Sequence, residues 1–381
     1  MRFIHTSDWH IGRILFERSL IQDQEYILEQ FVDLVRRSEV DAVIIAGDIY
    51  DRAIPPREAV LLLDDVLSRI ALQAKTPVFM ISGNHDSGER LGFGSKLFAD
   101  RQLRIVSSIS SMLNPFELED KHGRVRFYGI PYFDPADVRV ESKIAEMQSH
   151  DAAMAWCLER LNQNFDPSVA SVAVAHGFLA GGEESPDSER PLAIGGTSLI
   201  NAGQFSRFNY TALGHLHRPQ NLGKSNVRYS GSLLPYSFEE ARGAKTISIV
   251  ELGADRVARV EEVSLNPLRK MRILEGALDS ILQAGAADPG RDDFILVRRD
   301  DDGPVLDPLG RLRAVYKNVL SVERVRRDPS SLSAASSAAR AALRQKIPTD
   351  ELFRRFFADV TGGELNPDHL KRVADDMKVD E

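Results

Sequence analysis

The chain has 381 residues, 43% of them hydrophobic and 27% charged, with a net charge of −8. That length can bury a large core over two or three domains, and the composition excludes a disordered or fibrous chain. The acidic balance argues against a broad basic surface for nucleic acid, although bound divalent cations or a partner subunit can supply positive charge locally.

Arg2–Ser7 reads as a first strand that ends at Asp8-Trp9-His10. Apolar residues then recur at Tyr26, Ile27, Phe31, Leu34 and Val35, a helical spacing with Asp23 near its start and Arg36-Arg37 near its end, as the helix dipole favours. Asp41–Ala46 is a buried strand closed by Gly47-Asp48, Arg57–Leu72 a helix behind Pro55-Pro56, and Pro77–Ile81 a strand closed by Ser82-Gly83-Asn84-His85-Asp86. Strands alternating with helices predict an α/β layered fold. Further on, Arg124–Ile130 reads as a strand, Glu141–Asn162 as a helix, and Ser171–Ala175 as a strand closed by His176-Gly177. Residues 180–196 read as a surface loop. Tyr210–Leu213 is a strand closed by Gly214-His215-Leu216-His217, with Val227–Ser230 and Lys245–Glu251 as later strands.

After Pro267 the patterning changes. Residues 1–267 read as the main domain, 268–327 as a smaller α/β domain, and 328–348 as a Ser-, Ala- and Arg-rich linker. Within 349–381, Leu352, Phe353, Phe356, Phe357 and Val360 share one face of an amphipathic helix, and a second helix starts at Asn366-Pro367. Cys157, the one cysteine, excludes an intrachain disulfide. No signal peptide is expected, and no apolar run approaches the ~18 residues of a membrane span. These features predict a cytoplasmic protein without a membrane association.

The strand ends collect Asp8, His10, Asp48, Asn84, His85, His176, His215 and His217, all oxygen or imidazole donors. Such a set suits manganese, magnesium, iron or zinc. It is too large for one small ion and fits two ions that share a bridging carboxylate, a clamp for phosphoryl transfer. Each motif taken alone has a plainer explanation: a helix cap, a turn, or a core histidine. Alternation in His215-x-His217 puts both rings on one side of an extended segment.

The order Asp8-x-His10, Gly47-Asp48-x-x-Asp51-Arg52, Gly83-Asn84-His85-Asp86, His176-Gly177, Gly214-His215-x-His217 resembles the calcineurin-like metallophosphoesterases. The resemblance implies a two-sheet sandwich flanked by helices, with two metals at the strand ends. By motif position, Asp8, His10 and His217 would hold one metal, Asn84, His176 and His215 the other, and Asp48 would bridge them. His85 would then be the catalytic histidine and no ligand, and Asp51 would orient it through its carboxylate.

Longer phrases, His5-Thr6-Ser7-Asp8-Trp9-His10-Ile11-Gly12, Tyr128-Gly129-Ile130-Pro131-Tyr132 and Tyr229-Ser230-Gly231-Ser232 among them, resemble the SbcD branch of that family. This resemblance implies a DNA nuclease of repair, recombination and replication, with exonuclease action on double strands and endonuclease action on single strands and hairpins. It further implies two divalent ions, Mn2+ first and Mg2+ second, a homodimer, and a coiled-coil ATPase partner, SbcC. Residues 268–327 would form a capping, DNA-orienting domain and 349–381 a helical SbcC-binding module, while Leu61–Leu72 is a candidate dimer face. The alternatives are a small-molecule phosphodiesterase or phosphatase with the same core, and a non-catalytic scaffold. A scaffold would be expected to lack ligands, and here every position is filled.

Overall fold

The structure, a computed structural model, describes residues 1–98, 102–163, 165–185, 198–223, 226–301 and 305–325. The expected linker 328–348 and helical module 349–381 lie outside these residues, as do positions 186–196 of the expected surface loop.

β1 (Arg2–Thr6) leads into a small hairpin, β2 (Ile14–Leu15) and β3 (Arg18–Ser19), and then α1 (Ile21–Ser38). β4 (Ala42–Ala46), α2 (Arg57–Ser68) and β5 (Val78–Ile81) follow, and α2 continues as a π-helical turn over Arg69–Gln73. Two single-turn helices, α3 (Gly88–Leu91) and α4 (Ser95–Phe98), precede β6 (Leu103–Val106), β7 (Phe116–Asp120) and β8 (Gly123–Ile130). The helix expected over Glu141–Asn162 begins later, as α6 (His150–Asn162), and a separate α5 (Pro135–Ser142) precedes it. Lys143 ends α5 with a left-handed φ of +61°, and the Ser149 hydroxyl caps α6 by accepting from Ala152 N at 3.2 Å. β9 (Ala170–His176), β10 (Tyr210–Gly214), β11 (Gln220–Asn221), β12 (Val227–Tyr229), β13 (Thr246–Leu252) and β14 (Ala258–Ser264) complete the larger part. The remainder is β15 (Met271–Gly276), α7 (Leu278–Gly285), β16 (Phe294–Arg299), α8 (Pro308–Arg313) and β17 (Val319–Arg324).

Two six-stranded sheets result, ordered β14-β13-β1-β4-β5-β6 and β11-β12-β10-β9-β8-β7. In the first, β1, β4, β5 and β6 are mutually parallel; in the second, β8, β9, β10 and β12 are. Alternation along each strand sorts side chains to two cores. Phe3, Ile44, Phe79 and Ile81 face the second sheet and meet Phe127, Val172, Val174 and Tyr210. Ile4, Val43, Ile45, Val78 and Met80 face the other way, onto Phe31, Val32 and Val35 of α1. The C-terminal ends of β1, β4, β5, β9 and β10 converge at one edge, where ligands bind in open α/β sheets.

β15, β16 and β17 form a third, parallel sheet. Its alternation divides it as well. Ile295 and Val297 join Leu278, Ile281, Leu312 and Tyr316 in a small core of their own, whereas Phe294, Leu296, Met271 and Leu320 belong to the core under α1. Arg269 fastens the junction, donating to the buried Asp23 of α1 at 2.9 and 2.8 Å. Among the described residues no helix is long and apolar enough to cross a membrane.

Phe79 is fully buried between the sheets, with its ring stacked on Phe116 at 5.6 Å. Phe79→Ala is therefore expected to cost about 3–5 kcal/mol in urea unfolding. Val140→Ala, at a position 79% exposed, should change stability by less than about 0.5 kcal/mol. Equal effects of the two would contradict this placement of the core.

Candidate metal centre

Each site side chain lies at or just past a strand end, and the segments after β1 and β4 are bound to one another through their backbones. Asp8 N donates to Gly47 O at 3.0 Å, His10 N to Asp48 O at 3.0 Å and Ile11 N to Ile49 O at 2.9 Å. Asp8, His10, Asp48 and His215 all have positive φ, at +53°, +45°, +50° and +106°, a strained conformation for residues with a Cβ. Gln24 of α1 supports the first loop by donating to the His10 carbonyl at 2.7 Å and accepting from Gly12 N at 2.9 Å. The Tyr236 hydroxyl donates to the Trp9 carbonyl.

The turn after β5 passes unusually near Asp48. A Cβ built on Gly83 would lie 2.2 Å from Asp48 Oδ1 and 2.3 Å from Asp48 N, so only glycine fits there. Asp86 holds this turn in place. Its carboxylate accepts from Gly83 N at 2.9 Å, Ile49 N at 3.1 Å and Tyr50 N at 2.9 Å. Burial and the neighbouring Asp48 charge nevertheless raise the Asp86 carboxyl to about 7.

The donors fall into adjoining groups. Asp8, His10 and His217 offer atoms within 4.8 Å of one another, as do Asp8, Asp48 and His176. Asn84 Oδ1 lies 2.9 Å from His176 Nε2 and 3.2 Å from His215 Nδ1. Asp48 Oδ2 stands between the groups, 3.6 Å from His10 Nε2 and 3.5 Å from His176 Nε2. The rings of His215 and His217 thus enter one buried centre but join different groups. All these aspartates and histidines are buried, and Asn84 is half-buried.

His85 adjoins the same centre, since His10, Asp51 and His85 also offer donor atoms within 4.8 Å of one another. Its backbone N donates to Asp48 Oδ1 at 2.9 Å, and its Nδ1 lies 2.7 Å from the carbonyl oxygen of Asp51. By motif position the orienting task was expected of the Asp51 carboxylate. In the structure the contact with His85 is made by the carbonyl, while the carboxylate accepts from Arg13 at 2.8 Å and lies 3.9 Å from Arg52. The rings of His10 and His85 meet edge to face at 4.6 Å.

Electrostatics follow from burial. Burial would raise the Asp48 carboxyl, but His176, His10 and His85 hold it well below its usual range. Burial would depress His176, yet Asp48, Asp8 and the Ala46 carbonyl hold it up at about 9. His10 and His215 are pushed far down, first by burial. The residues fit divalent cations. His10 Nε2 and His217 Nε2 face each other at 3.1 Å, and the buried His10 Nδ1 has no hydrogen-bond partner. Imidazoles crowded in this way repel one another when charged, as do the carboxylates, and both are relieved by sharing a metal.

Sequence reading did not find Glu240, whose Oε1 lies 3.3 Å from His217 Nδ1, nor Lys245, Gln24 and Tyr236 around it. No spacing joins them to the strand-end motifs. An acidic residue between strands and a lysine at the start of the expected strand Lys245–Glu251 carry no motif of their own. Gly83→Ala tests the close approach. It is expected to weaken divalent-cation binding about tenfold or more in titration calorimetry, with the circular dichroism of the folded chain retained. Wild-type binding would contradict the contact.

Residues 1–219 match the family described as calcineurin-like phosphoesterase, and residues 267–361 match the one described as type 5 capsule protein repressor C-terminal domain. The chain is 34% identical over 325 residues to the SbcD subunit of the SbcCD nuclease of Staphylococcus epidermidis, covering 85% of this chain and 86% of that protein. Two solved structures are similar at lower identity. One is a Thermus thermophilus protein, 15% identical with a TM-score of 0.41 over 68% of this chain and 98% of that one. The other is a dimetal phosphatase from Danio rerio, 14% identical with a TM-score of 0.39 over 70% and 99%. The strand-end motifs, the converging loops, the family match and the staphylococcal relative lead to one assignment: the chain belongs to the calcineurin-like phosphoesterases and, within them, to the SbcD nuclease family.

Proposed function

We propose that this chain is the nuclease subunit of an SbcCD-type complex and hydrolyses DNA phosphodiester bonds at a two-metal centre. The observation that carries the reading is Asp48 Oδ2 between His10 and His176, at 3.6 and 3.5 Å, where one carboxylate serves two donor groups. Asp8, His10 and His217 would hold one ion, and Asn84, His176 and His215 the other, with Asp48 available to both. Two divalent cations, Mn2+ or Mg2+ by donor type, would polarise the phosphate and lower the pKa of the attacking water.

His85 is the catalytic residue. Its Nδ1–H donates to the Asp51 carbonyl at 2.7 Å, which fixes the ring and assigns Nε2 to the substrate. When protonated, Nε2 gives its proton to the leaving oxygen or stabilises charge on the phosphate. Asp51 acts through its carbonyl, and Arg13 fixes the residue by pairing with its carboxylate. The half-buried turn leaves His85 open to a bound strand, whereas Asp8, His10, Asp48, His176, His215 and His217 are buried beneath it.

The acidic chain needs help with a polyanion. Phosphate contacts come from the two cations and from a coiled-coil ATPase partner, SbcC, which residues 349–381 engage. The sheet β15-β16-β17 with α7 and α8 is the capping domain that orients DNA. The complex works in the cytoplasm, in repair, recombination and replication, consistent with a free, buried Cys157.

The homodimer face is the apolar surface along α2 and the π-helical turn that continues it. Val60, Leu61, Leu72, Phe93, Leu97 and Phe98 are exposed there, beside a groove of about 350 Å³, an unusual accumulation for a solvated surface. Leu61→Glu with Phe93→Glu is expected to turn a dimer into a monomer in sedimentation velocity, and a dimer of unchanged stability would rule this face out.

The test of the chemistry uses labelled linear and hairpin DNA with Mn2+, with and without SbcC and ATP. Cleavage is expected, and His85→Asn should lower it by about 100- to 10,000-fold while calorimetry still counts two bound ions. Near-normal rates in that variant would remove His85 from the mechanism. Cleavage of small diesters without any cleavage of DNA would overturn the nuclease reading.

A further inference from the structure

One buried ion pair beside the centre has no part in the chemistry above. Glu240 is 5% exposed, in the short helical turn Phe238–Arg242. Its Oε1 lies 3.3 Å from His217 Nδ1 and accepts from Tyr236 N at 3.2 Å. Its Oε2 accepts from Lys245 and from the Ser232 hydroxyl. Lys245 Nζ donates in turn to the His217 carbonyl at 2.7 Å and to Ser232 Oγ at 2.8 Å. The pair therefore holds both the ring and the backbone of His217. The Tyr236 ring closes the arrangement, edge to face with His217 at 5.6 Å and with His10 at 5.2 Å.

We infer that Glu240, fixed by Lys245, is a positioning residue for His217: it keeps the proton on Nδ1 and so presents Nε2 to the metal centre as a lone-pair donor. Which nitrogen of an imidazole binds metal is set by what the other nitrogen touches. At His176 the same task falls to a backbone carbonyl, Ala46 O, 2.8 Å from Nδ1. At His217 it falls to a side chain, so here orientation and ligation can be separated by mutation. Lys245 matters because an unpaired carboxylate this deep would be costly. With the pair intact, Glu240 orients the ring without adding net negative charge next to Asp8 and Asp48. A purely structural role, holding the loop before β13, would affect the whole site or none of it. A positioning role predicts loss at one ion alone, the one assigned to Asp8, His10 and His217.

The inference rests on the two-ion reading, and one titration separates the two. Metal-free full-length chain is titrated with Mn2+, followed by calorimetry and by electron paramagnetic resonance. Wild type is expected to bind two ions and to give the signal of a spin-coupled pair. Glu240→Gln should weaken one ion about 10- to 100-fold, replace the pair signal at two equivalents by that of an isolated ion, and leave the affinity of the other ion unchanged. Glu240→Asp, which keeps the charge but withdraws it from Nδ1, should fall between the two and serves if Glu240→Gln does not fold. Unchanged binding in the variants, or equal weakening of both ions, overturns the positioning role. Wild type that binds fewer than two ions overturns the two-ion reading instead.

Discussion

The chain reversal at Gly83 approaches Asp48 so closely that a methyl group in place of its hydrogen would lie 2.2 Å from Oδ1. The rest of the centre depends on this contact. It lets the loop after β5 lie against the loop after β4, so Asn84 reaches His176 and His215 while His85 N donates to Asp48. The second sheet is drawn in similarly. A Cβ on Gly214 would fall 2.0 Å from the Ala46 carbonyl, and one on Gly47 would fall 2.4 Å from His176 Nδ1. Glycines therefore stand where backbone must approach backbone or a functional side chain, and the two sheets meet at their strand ends through these gaps.

Such an arrangement works against stability. Four residues that carry side chains are held at positive φ, each costing on the order of 1–3 kcal/mol. Buried carboxylates and imidazoles lie a few ångströms apart, and removing charge from water is expensive. The cost is met by regular elements around the site. Two cores pack both faces of the first sheet, and backbone bonds between Asp8 and Gly47, and between His10 and Asp48, tie the strained loops to each other. The strain and crowding lie at the strand ends and are oriented for function, while the strands beneath follow simple alternation.

That division explains what the sequence made legible. Parallel strands buried on both faces give short apolar runs, so β1, β4, β5, β9 and β10 could be read with their boundaries nearly right, and the seven donors followed from their ends. β7 could not, because its residues alternate between exposed and half-buried and it carries three acidic side chains on an edge. The break between α5 and α6 depends on a left-handed Lys143 and a serine cap, neither of which interrupts the apolar pattern. Asp51 meets His85 through its carbonyl oxygen, and a backbone carbonyl leaves no trace in residue type. Glu240 lies 23 positions from His217, and only the folded loop brings them together.

Two carboxylates flank the centre without belonging to its ligand set, and their settings differ. Asp86 takes three backbone N–H donors, and burial together with Asp48 raises its carboxyl to about 7. Burial would raise Glu240 as well, but Lys245 and His217 more than offset it and hold the carboxyl at about 2. Asp86 keeps two loops in register through its three backbone donors. Glu240 must remain an acceptor for an imidazole proton, and a carboxyl that took up a proton would lose that capacity. The ammonium group beside Glu240 and the backbone amides around Asp86 therefore match two different tasks, one electrostatic and directed at a ring, the other a set of hydrogen bonds that orders the backbone.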